Sequence, residues 1–396
     1  MKFSRRDFLK ATGATAFFSK TGFAGDWAAL EAEAKGRTVY FNAWAGSEPI
    51  NAYIAWAGEQ LEARYGVKLE HVKIADTAEV VRRVRNEVKA GKAEGSADLI
   101  WINGENFRAM KTEKLLFGPF ARELPNFKYV DTEGKPTTLI DFAEATEGLE
   151  SPWGMAQLTF FGDGAKIVSP PRSMDELVEF AKANPGRVTY PAPPDFHGTT
   201  FVKQALVESI ADRSILALPA KSEDFHWATA LLFDLLDKLH PNLWRGGKQF
   251  PQSQAQLKQM LADGELLMAL TFNPNEPANL VASGALPGST VAWQHKAGTI
   301  GNTHFVAIPI NSKATAAARV AANFLLSPEA QGRKADLAIW GDPTVLAINK
   351  LSAEDAKLFT GGSVPASVGE PAPAIPEPHG SWVPLLETAW LESYGT

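Results

Sequence analysis

Hydrophobic residues in the first half of the chain alternate between short β-rich runs and helical repeats. Thr38–Ala43, Val67–Ile74 and Ala97–Ile102 are predicted strands. After the first run, apolar residues over Ile50–Leu61 recur every three or four positions, as on one face of a helix, and a valine repeat over residues 80–88 does the same. This strand–helix–strand order predicts a parallel sheet with right-handed helical crossovers.

The second half of the chain has the same style of pattern without repeating the sequence of the first. Its helices begin at local signals: Ser173 and Glu176 form a capping box, and Ser327 before Pro328 is typical of an N-cap. Prolines recur from residue 364 to 384, which favours a tail wrapping over the body rather than a recognition motif. The predicted strands of this half are Gln157–Gly162, Arg187–Tyr190, Glu265–Phe272 and His304–Ile310.

The first 24 residues have the features of an export signal. Ser4–Lys10 (SRRDFLK) matches the twin-arginine pattern, a weakly apolar stretch follows over Ala11–Phe18, and small residues end the segment near Ala24. The apolar stretch is far shorter than the ~20 residues of a membrane-spanning helix. We therefore expect a twin-arginine signal peptide over residues 1–24 and an exported mature chain, with an ordinary basic amphipathic start as the alternative.

The composition excludes several classes of function. The 396 residues are 45% hydrophobic and 21% charged, with a formal net charge of −6 and no cysteine. The length fits two domains. The lack of cysteine excludes disulfides, a thiolate metal site, a cysteine nucleophile and a lipidated-cysteine anchor. An acidic balance without a basic block argues against nucleic acid as a partner.

Signatures of catalysis or of a resident cofactor are absent from the sequence. It contains no His-Glu-x-x-His, Walker or Gly-x-Ser-x-Gly motif. Its seven histidines are scattered singly, whereas zinc sites use closely spaced ligands. We therefore expect no catalytic residues, no metal site and no cofactor.

Aromatic and small polar residues follow the ends of the predicted strands. In open α/β sheets, ligands bind just outside the carboxyl ends of the strands, where loops meet helix N-termini. A tryptophan on such a loop can stack on an apolar or cationic ligand. The candidate ligand-binding residues at these positions are Trp44, Ser47, Glu48, Asn103, Glu105, Tyr190, Asp195, Thr199 and Asn273.

Four segments resemble a known family. Leu149–Gln157 is similar to its crossover between lobes, Pro170–Leu177 to a helix start, Gly264–Pro274 to a strand, and Asn323–Gln331 to a more specific helix motif. Together they resemble the periplasmic solute-binding proteins of ABC importers, of the two-lobed type that binds polyamines, thiamine, iron or maltose. Within that family the chain is similar to the YnjB-type branch. The similarity covers nearly all of residues 36–345.

The resemblance implies an α/β fold of the two-lobed periplasmic-binding-protein type (type II). Each lobe is then expected to be a mostly parallel sheet flanked by helices. Lobe one is expected over residues 25–155 and 295–330. Lobe two is expected over residues 156–294 and 331–396, the latter with the C-terminal helices and the proline-rich tail.

The resemblance also implies capture of a small molecule rather than catalysis. A ligand that contacts both lobes favours the closed form, which docks on a membrane permease driven by its ATPase. The expected partners are a small-molecule ligand, an ABC permease and that ATPase. The protein itself is expected to be an unanchored periplasmic monomer. On this fold Trp153 and Gln157, in the crossover, and Trp340, near the hinge, join the candidate ligand-binding residues.

Two ligand classes compete for the cleft. Glu48, Glu105, Asp195 and Glu276, with nearby tryptophans, suit an organic cation such as thiamine or a polyamine, which we prefer. Helix N-termini rich in Gly, Ser and Thr would instead suit an anion. Two other functions stay open: an exported hydrolase or lyase with Asp195 or His197 as base, and a solute sensor for a membrane receptor.

Overall fold

The structure, a computed structural model, describes residues 22–359, 366, 368 and 372–395. The predicted twin-arginine motif lies outside the described residues. The helices are α1 Gly22–Ala34, α2 Glu48–Tyr65, α3 Thr77–Lys89, α4 Gly104–Thr112, α5 Met174–Ala183, α6 Phe196–Ser209, α7 Ser222–Leu239, α8 Gln254–Ala262, α9 Glu276–Ala282, α10 Thr315–Leu325, α11 Pro328–Ala335, α12 Ala353–Ala356 and α13 Trp382–Tyr394. The strands are β1 Thr38–Trp44, β2 Lys68–Ile74, β3 Leu99–Ile102, β4 Ile140–Asp141, β5 Glu144–Ala145, β6 Glu150–Gln157, β7 Thr159–Asp163, β8 Met268–Thr271, β9 Thr290–Trp293, β10 Thr299–Ala307 and β11 Ala374–Ile375.

The three strands predicted in the first half form one side of the larger sheet. β1 pairs in parallel with β2 and with β3, and α2 and α3 make the crossovers, so the predicted order is confirmed. Beyond β3 the direction reverses, because β10 runs antiparallel to both β3 and β6. The strand predicted over His304–Ile310 overlaps β10 over its first four residues, because β10 begins at Thr299 and ends at Ala307.

The smaller sheet is antiparallel within the described residues. β7 runs against β8 on one side and against β9 on the other, so a mostly parallel sheet does not hold for this lobe. The reason lies in the connections. β7 follows β6 directly, across Leu158, and enters the lobe in one direction, whereas β8 and β9 each follow a helix and run the opposite way.

The segment Arg187–Tyr190, predicted as a strand, is not part of a sheet. The Arg187 carbonyl accepts the Leu267 N–H at 2.9 Å, and the next carbonyl accepts the Trp244 N–H at 2.8 Å. The prolines at positions 191, 193 and 194 have no N–H to continue a ladder. These prolines therefore end the pairing before a strand is established.

Local helix signals behave as predicted. Ser173 accepts the N–H of Glu176 as the N-cap of α5, and Ser327 accepts the N–H of Ala330 as the N-cap of α11. Gly66 ends α2 in the left-handed conformation with φ 63°. The predicted apolar stripe of α2 is buried, at Ile50, Tyr53, Ile54, Ala57 and Leu61.

Separate groups of buried side chains define two lobes. The larger sheet and its helices enclose a first-lobe core that includes Phe41 and Tyr53, and the smaller sheet has a second-lobe core that includes Phe160 and Leu236. β6 and β10 join the two, since Trp153 of β6 packs in the first core whereas the end of that strand packs in the second.

The stretch 331–396, expected in the second lobe, divides between the two cores. Trp340 and Leu346 pack in the first-lobe core, whereas Trp382 and Trp390 of α13 pack in the second. Between them β11 pairs in parallel with β10, so the C-terminal segment lies along the strand that joins the lobes. No helix in the described part of the chain is long and apolar enough to cross a membrane.

Candidate functional site

The loop after β3 presents Glu105 in the first turn of α4. Gly104 has a φ of +61°, and its N–H donates to Asp141 Oδ2 at 2.7 Å. A Cβ at Gly104 would lie 2.9 Å from the Phe142 ring, so this close approach requires glycine. Asn103 is the N-cap of α4 and makes no side-chain capping bond. Asp141 and Phe142, on the β4–β5 hairpin, therefore fix the turn that carries Glu105.

Glu105 sits among other carboxylates. Its own carboxylate accepts a hydrogen bond from the Asn106 amide at 3.0 Å. Burial, reinforced by the carboxylates of Glu387 and Asp76, raises the pKa of Glu105 to about 7, while Lys203 acts in the opposite direction. Near neutral pH this carboxyl is therefore protonated in a large fraction of the molecules.

The second lobe contributes the beginning of α6. Asp195 caps this helix, because its Oδ1 accepts the N–H of His197 at 2.9 Å and of Gly198 at 3.3 Å. At the next helical position, Thr199 Oγ1 donates to Glu387 Oε1 at 2.7 Å. The α6 N-terminus and α13 thus hold Glu387 in a fixed position at the boundary between the lobes.

Asp76, Glu105 and Glu387 form what we term the acidic cluster. Asp76 follows β2 and caps α3, accepting the N–H of Ala78 at 2.8 Å. Burial raises the pKa of Glu387, and the Asp76 charge adds to the rise. Asp76 and Glu105 belong to the first lobe, whereas Glu387 belongs to α13, which packs on the second lobe. The acidic cluster is therefore assembled from both lobes.

Lys203 is the buried cation beside the acidic cluster. Its Nζ lies 2.7 Å from Glu377 Oε2, and the two side chains are 1% and 2% exposed. Asn302 donates to the other carboxylate oxygen of Glu377 at 3.0 Å, and the ammonium lies 4.5 Å from the centre of the Phe142 ring. Lys203 is ion-paired with Glu377, and its charge also lowers the pKa values of Glu105 and Glu387, so one lysine is shared among several carboxylates.

The C-terminal segment before α13 bridges the lobes beside this site. The Gly380 N–H donates to the Phe142 carbonyl at 3.2 Å, and the His379 N–H donates to the Leu216 carbonyl at 2.7 Å. The His379 ring lies 3.1 Å from Glu144 Oε1. Phe142 and Glu144 are first-lobe residues and Leu216 packs in the second-lobe core, so the segment contacts both lobes.

Two candidate residues near the hinge, Trp153 and Trp340, lie in the first-lobe core. They are 0% and 3% exposed, and their rings are 5.5 Å apart. Trp101, partly exposed, stands edge-on to Trp153 at 4.9 Å. Beneath the two buried rings, Lys334 pairs with Asp342 at 2.6 Å. This cluster is packed and charge-balanced, so the structure does not bring Trp153 or Trp340 to an open surface.

Three further candidates lie together where the end of β1 connects to the start of α2. Trp44 is partly buried, and its ring covers Gly46, where a Cβ would collide with it. Ser47 is at the N-cap position of α2 without a side-chain capping bond. Glu48 is exposed and lies 3.5 Å from the Asn51 amide. These residues are at the first-lobe strand ends, as expected, but make few contacts that fix a role.

The remaining candidates are engaged elsewhere. Tyr190 is fully buried, with its hydroxyl hydrogen-bonded inside the second-lobe core. Gln157 donates to the Ala372 carbonyl at 3.1 Å and so holds the C-terminal segment. Asn273 donates to the Trp340 carbonyl at 3.1 Å. The structure therefore brings together Glu105 and Thr199 with residues that the sequence reasoning did not select.

Sequence reasoning missed Asp76, Lys203, Glu377 and Glu387. Asp76 lies two residues after the end of the second predicted strand, so the strand-end rule that selected Glu105 would have found it. The other three have no local signal, because their contacts join distant parts of the chain. Lys203 and Glu377, for instance, are 174 residues apart.

Comparisons with known proteins agree with this architecture. Residues 56–358 match the model of the bacterial extracellular solute-binding protein family. The chain is 46% identical over 385 residues to Protein YnjB of Escherichia coli (strain K12), an alignment that covers 97% of this chain and 98% of that protein.

Solved structures are similar in fold at low sequence identity. The periplasmic binding protein AfuA of Actinobacillus pleuropneumoniae, with exogenous fructose-6-phosphate bound, aligns with a TM-score of 0.63 and 15% identity over 90% of this chain and 98% of its own. A periplasmic thiamin binding protein aligns with a TM-score of 0.62 and 16% identity over 90% of this chain and 95% of its own. The chain therefore belongs to the bacterial extracellular solute-binding protein family and has the two-lobed type II periplasmic-binding-protein fold.

Proposed function

We propose that the protein captures a small organic cation between its two lobes and delivers it to an ABC permease. The family supplies the general role, a substrate-binding component of an ABC transporter. The observation that carries the choice of a cation is the acidic cluster, which draws Asp76 and Glu105 from the first lobe and Glu387 from α13 on the second.

Electrostatics explains how such a site would respond to its ligand. Burial raises the pKa values of Glu105 and Glu387, and repulsion from neighbouring carboxylates adds to the rise. A cation placed among them removes that repulsion. Because the acidic cluster needs both lobes, the cation interacts more strongly with the closed form and shifts the population toward it.

The residues at the boundary between the lobes favour an anionic ligand less than a cationic one. Backbone N–H groups at the start of a helix can bind an anion. At the start of α6, however, the N–H groups of His197 and Gly198 donate to the Asp195 carboxylate. Glu276, one of the acids first considered for a cation, pairs with Lys258 at 2.5 Å and is also engaged. The cation hypothesis therefore rests on Glu105 and the newly found Asp76 and Glu387.

The fold alone does not select the ligand's charge. The two solved proteins described above have ligands of opposite sign, since thiamin is a cation and fructose-6-phosphate is an anion. Thiamine and the polyamines remain the probes of choice for this chain.

The wider biological role follows the same proposal. The closed, loaded form docks on a permease whose ATPase drives uptake, and the protein acts as an unanchored periplasmic monomer exported by the twin-arginine pathway. We propose no catalytic role, because Asp195, a candidate base, is committed to capping α6. The sensor alternative shares the ligand chemistry and differs in its membrane partner.

The test is isothermal titration calorimetry on the chain lacking residues 1–24. The cationic probes are thiamine and spermidine, and the anionic probes are fructose-6-phosphate and sulfate, all at pH 7.5. We expect saturable binding of a cation and none of the anions. Glu105→Gln keeps the shape of the side chain but removes its charge, so it should weaken the cation at least tenfold, about 1.4 kcal/mol.

The matched control is Glu59→Gln, which neutralises an exposed glutamate on α2. It should leave the affinity unchanged. Binding of an anionic probe in place of the cations would contradict the proposal, as would equal weakening by both glutamine variants.

A further inference from the structure

We infer that three asparagines of the second lobe form a clasp that holds the lobes together independently of the ligand. We call Asn273, Asn275 and Asn279 the asparagine clasp. All three donate side-chain N–H groups to two consecutive backbone carbonyls of the first lobe, those of Trp340 and Gly341. This inference goes beyond the proposed function, because it concerns the equilibrium between open and closed forms rather than the ligand.

The donors are fixed by the second lobe. They lie in the turn after β8 and in α9, which pack with the smaller sheet. Asn279 Nδ2 lies 2.6 Å and Asn273 Nδ2 3.1 Å from the Trp340 oxygen, and Asn275 Nδ2 lies 2.6 Å from the Gly341 oxygen. Asn273 Oδ1 accepts the Asn275 N–H at 3.0 Å, which holds the turn in shape.

The acceptors are equally fixed by the first lobe. The N–H groups of Trp340 and Gly341 both donate to the Asp336 carbonyl at 3.0 Å, so the loop is folded on itself. The Trp340 ring packs 5.3 Å from Tyr53 and 5.5 Å from Trp153 in the first-lobe core.

The clasp lies beside β6, the strand that joins the lobes, because the Gln157 N–H donates to the Phe272 carbonyl at 2.9 Å and the Met155 N–H donates to the Pro343 carbonyl at 3.1 Å. Since its donors and acceptors are fixed in different lobes, a rotation of one lobe against the other strains the three amide bonds.

The fit between the two sides is close. Gly341 has a φ of +76°, and a Cβ at this position would lie 2.9 Å from the Asn275 Cβ. A larger residue would both strain the loop and push the asparagines away. The clasp therefore depends on glycine at position 341 as well as on the three amides.

The clasp predicts a measurable change in lobe separation when it is removed. The chain has no cysteine, so Glu59→Cys on the first lobe and Lys248→Cys on the second, both exposed, accept spin labels selectively. Pulsed dipolar spectroscopy without any ligand then reports the distance between the lobes. In the double variant Asn275→Ala with Asn279→Ala, the fraction of molecules with a longer distance between the labels should be at least threefold that of the labelled protein with the clasp intact.

Gly341→Ala, which keeps all three asparagines, should produce the same shift toward longer distances. It tests the inference if the double variant fails to fold. Asn242→Ala is the control, because its amide bonds the Lys238 carbonyl within the second lobe at 3.1 Å. An unchanged distance distribution in the clasp variants overturns the inference. Because no ligand is present, that result would leave the proposed function untouched.

Discussion

Two fully buried lysines make matched ion pairs in two different settings. Lys334 lies 2.6 Å from Asp342 near the hinge, and Lys203 lies 2.7 Å from Glu377 at the boundary between the lobes. Taken alone, the two pairs have nearly the same geometry and burial. Their neighbours differ, and that difference separates a structural contact from a candidate binding site.

Near the hinge the charges balance. Burial pushes the pKa of Asp342 upward, but Lys334 and His304 outweigh it and hold that pKa below its ordinary value. Tryptophan rings enclose the pair, with Lys334 Nζ 5.4 Å from the centre of the Trp153 ring. An ion pair that is compensated and enclosed in this way stabilises the fold and has no need of a further charge.

At the boundary between the lobes, acids are in excess. Burial raises the pKa of Glu377 even though Lys203 lowers it, and the pKa values of Glu105 and Glu387 are raised as well. One lysine thus faces several carboxylates. Comparison of the two pairs teaches that a surplus of carboxylates, rather than a buried lysine, distinguishes the candidate binding site from the structural pair.

The largest expected effect comes from breaking the balanced pair. Lys334→Met leaves the buried Asp342 without its main partner, and removal of one member of a buried pair typically costs about 3–5 kcal/mol. Urea unfolding at pH 7 measures the loss. Lys248→Met, at an exposed position, should change the unfolding free energy by less than about 0.5 kcal/mol. A loss of similar size in both variants would refute the assigned role of Lys334.

A smaller effect is expected when pH changes the surplus charge. Because the pKa of Glu105 is about 7, its ionised fraction falls roughly tenfold between pH 8 and pH 6. The affinity for thiamine or spermidine, whichever binds, should fall by about the same factor, 1.4 kcal/mol. Calorimetry at both pH values measures it. In Glu105→Gln the dependence should largely disappear, and a full tenfold change there would assign the titration to another group.

The pH also changes the stability of the ligand-free protein. The folded state raises the pKa of Glu105 from 4.5 to about 7, so it binds that proton more tightly than the unfolded chain does. The resulting stability is present below pH 4.5 and is lost as pH rises through about 7. The difference in melting temperature, Glu105→Gln minus wild type, should therefore increase by about 2–4 °C between pH 5 and pH 8. A fall in the melting temperature of Glu105→Gln relative to that of the wild type over this range would contradict the direction of the shift.

The sequence predicts most of the local structure and part of the site. Strand-end positions selected Glu105 and Thr199, which both lie at the candidate site because the end of β3 and the start of α6 meet at the boundary between the lobes. The same rule does not say which way a side chain faces. Tyr190 is the last residue of a predicted strand, yet its ring turns inward and stacks on Phe201 at 4.1 Å. Trp153 likewise packs in the first-lobe core.

The rest of the site depends on contacts between distant parts of the chain. Glu387 meets Thr199 across 188 residues, and α13 reaches that position after the C-terminal segment has crossed the boundary between the lobes. Periodicity and capping signals act over a few residues and carry no information about such contacts. The antiparallel direction of the smaller sheet was missed for a related reason, since it depends on which connection enters the lobe first.

The most direct test of a cation-selective site is native mass spectrometry of the chain as purified, alongside Glu105→Gln and Glu59→Gln. We predict that the wild type and Glu59→Gln carry the same extra mass, that fragmentation identifies it as an organic cation, and that Glu105→Gln largely lacks it. An extra mass identified as an anion, or one that Glu105→Gln retains at wild-type occupancy, would contradict the account.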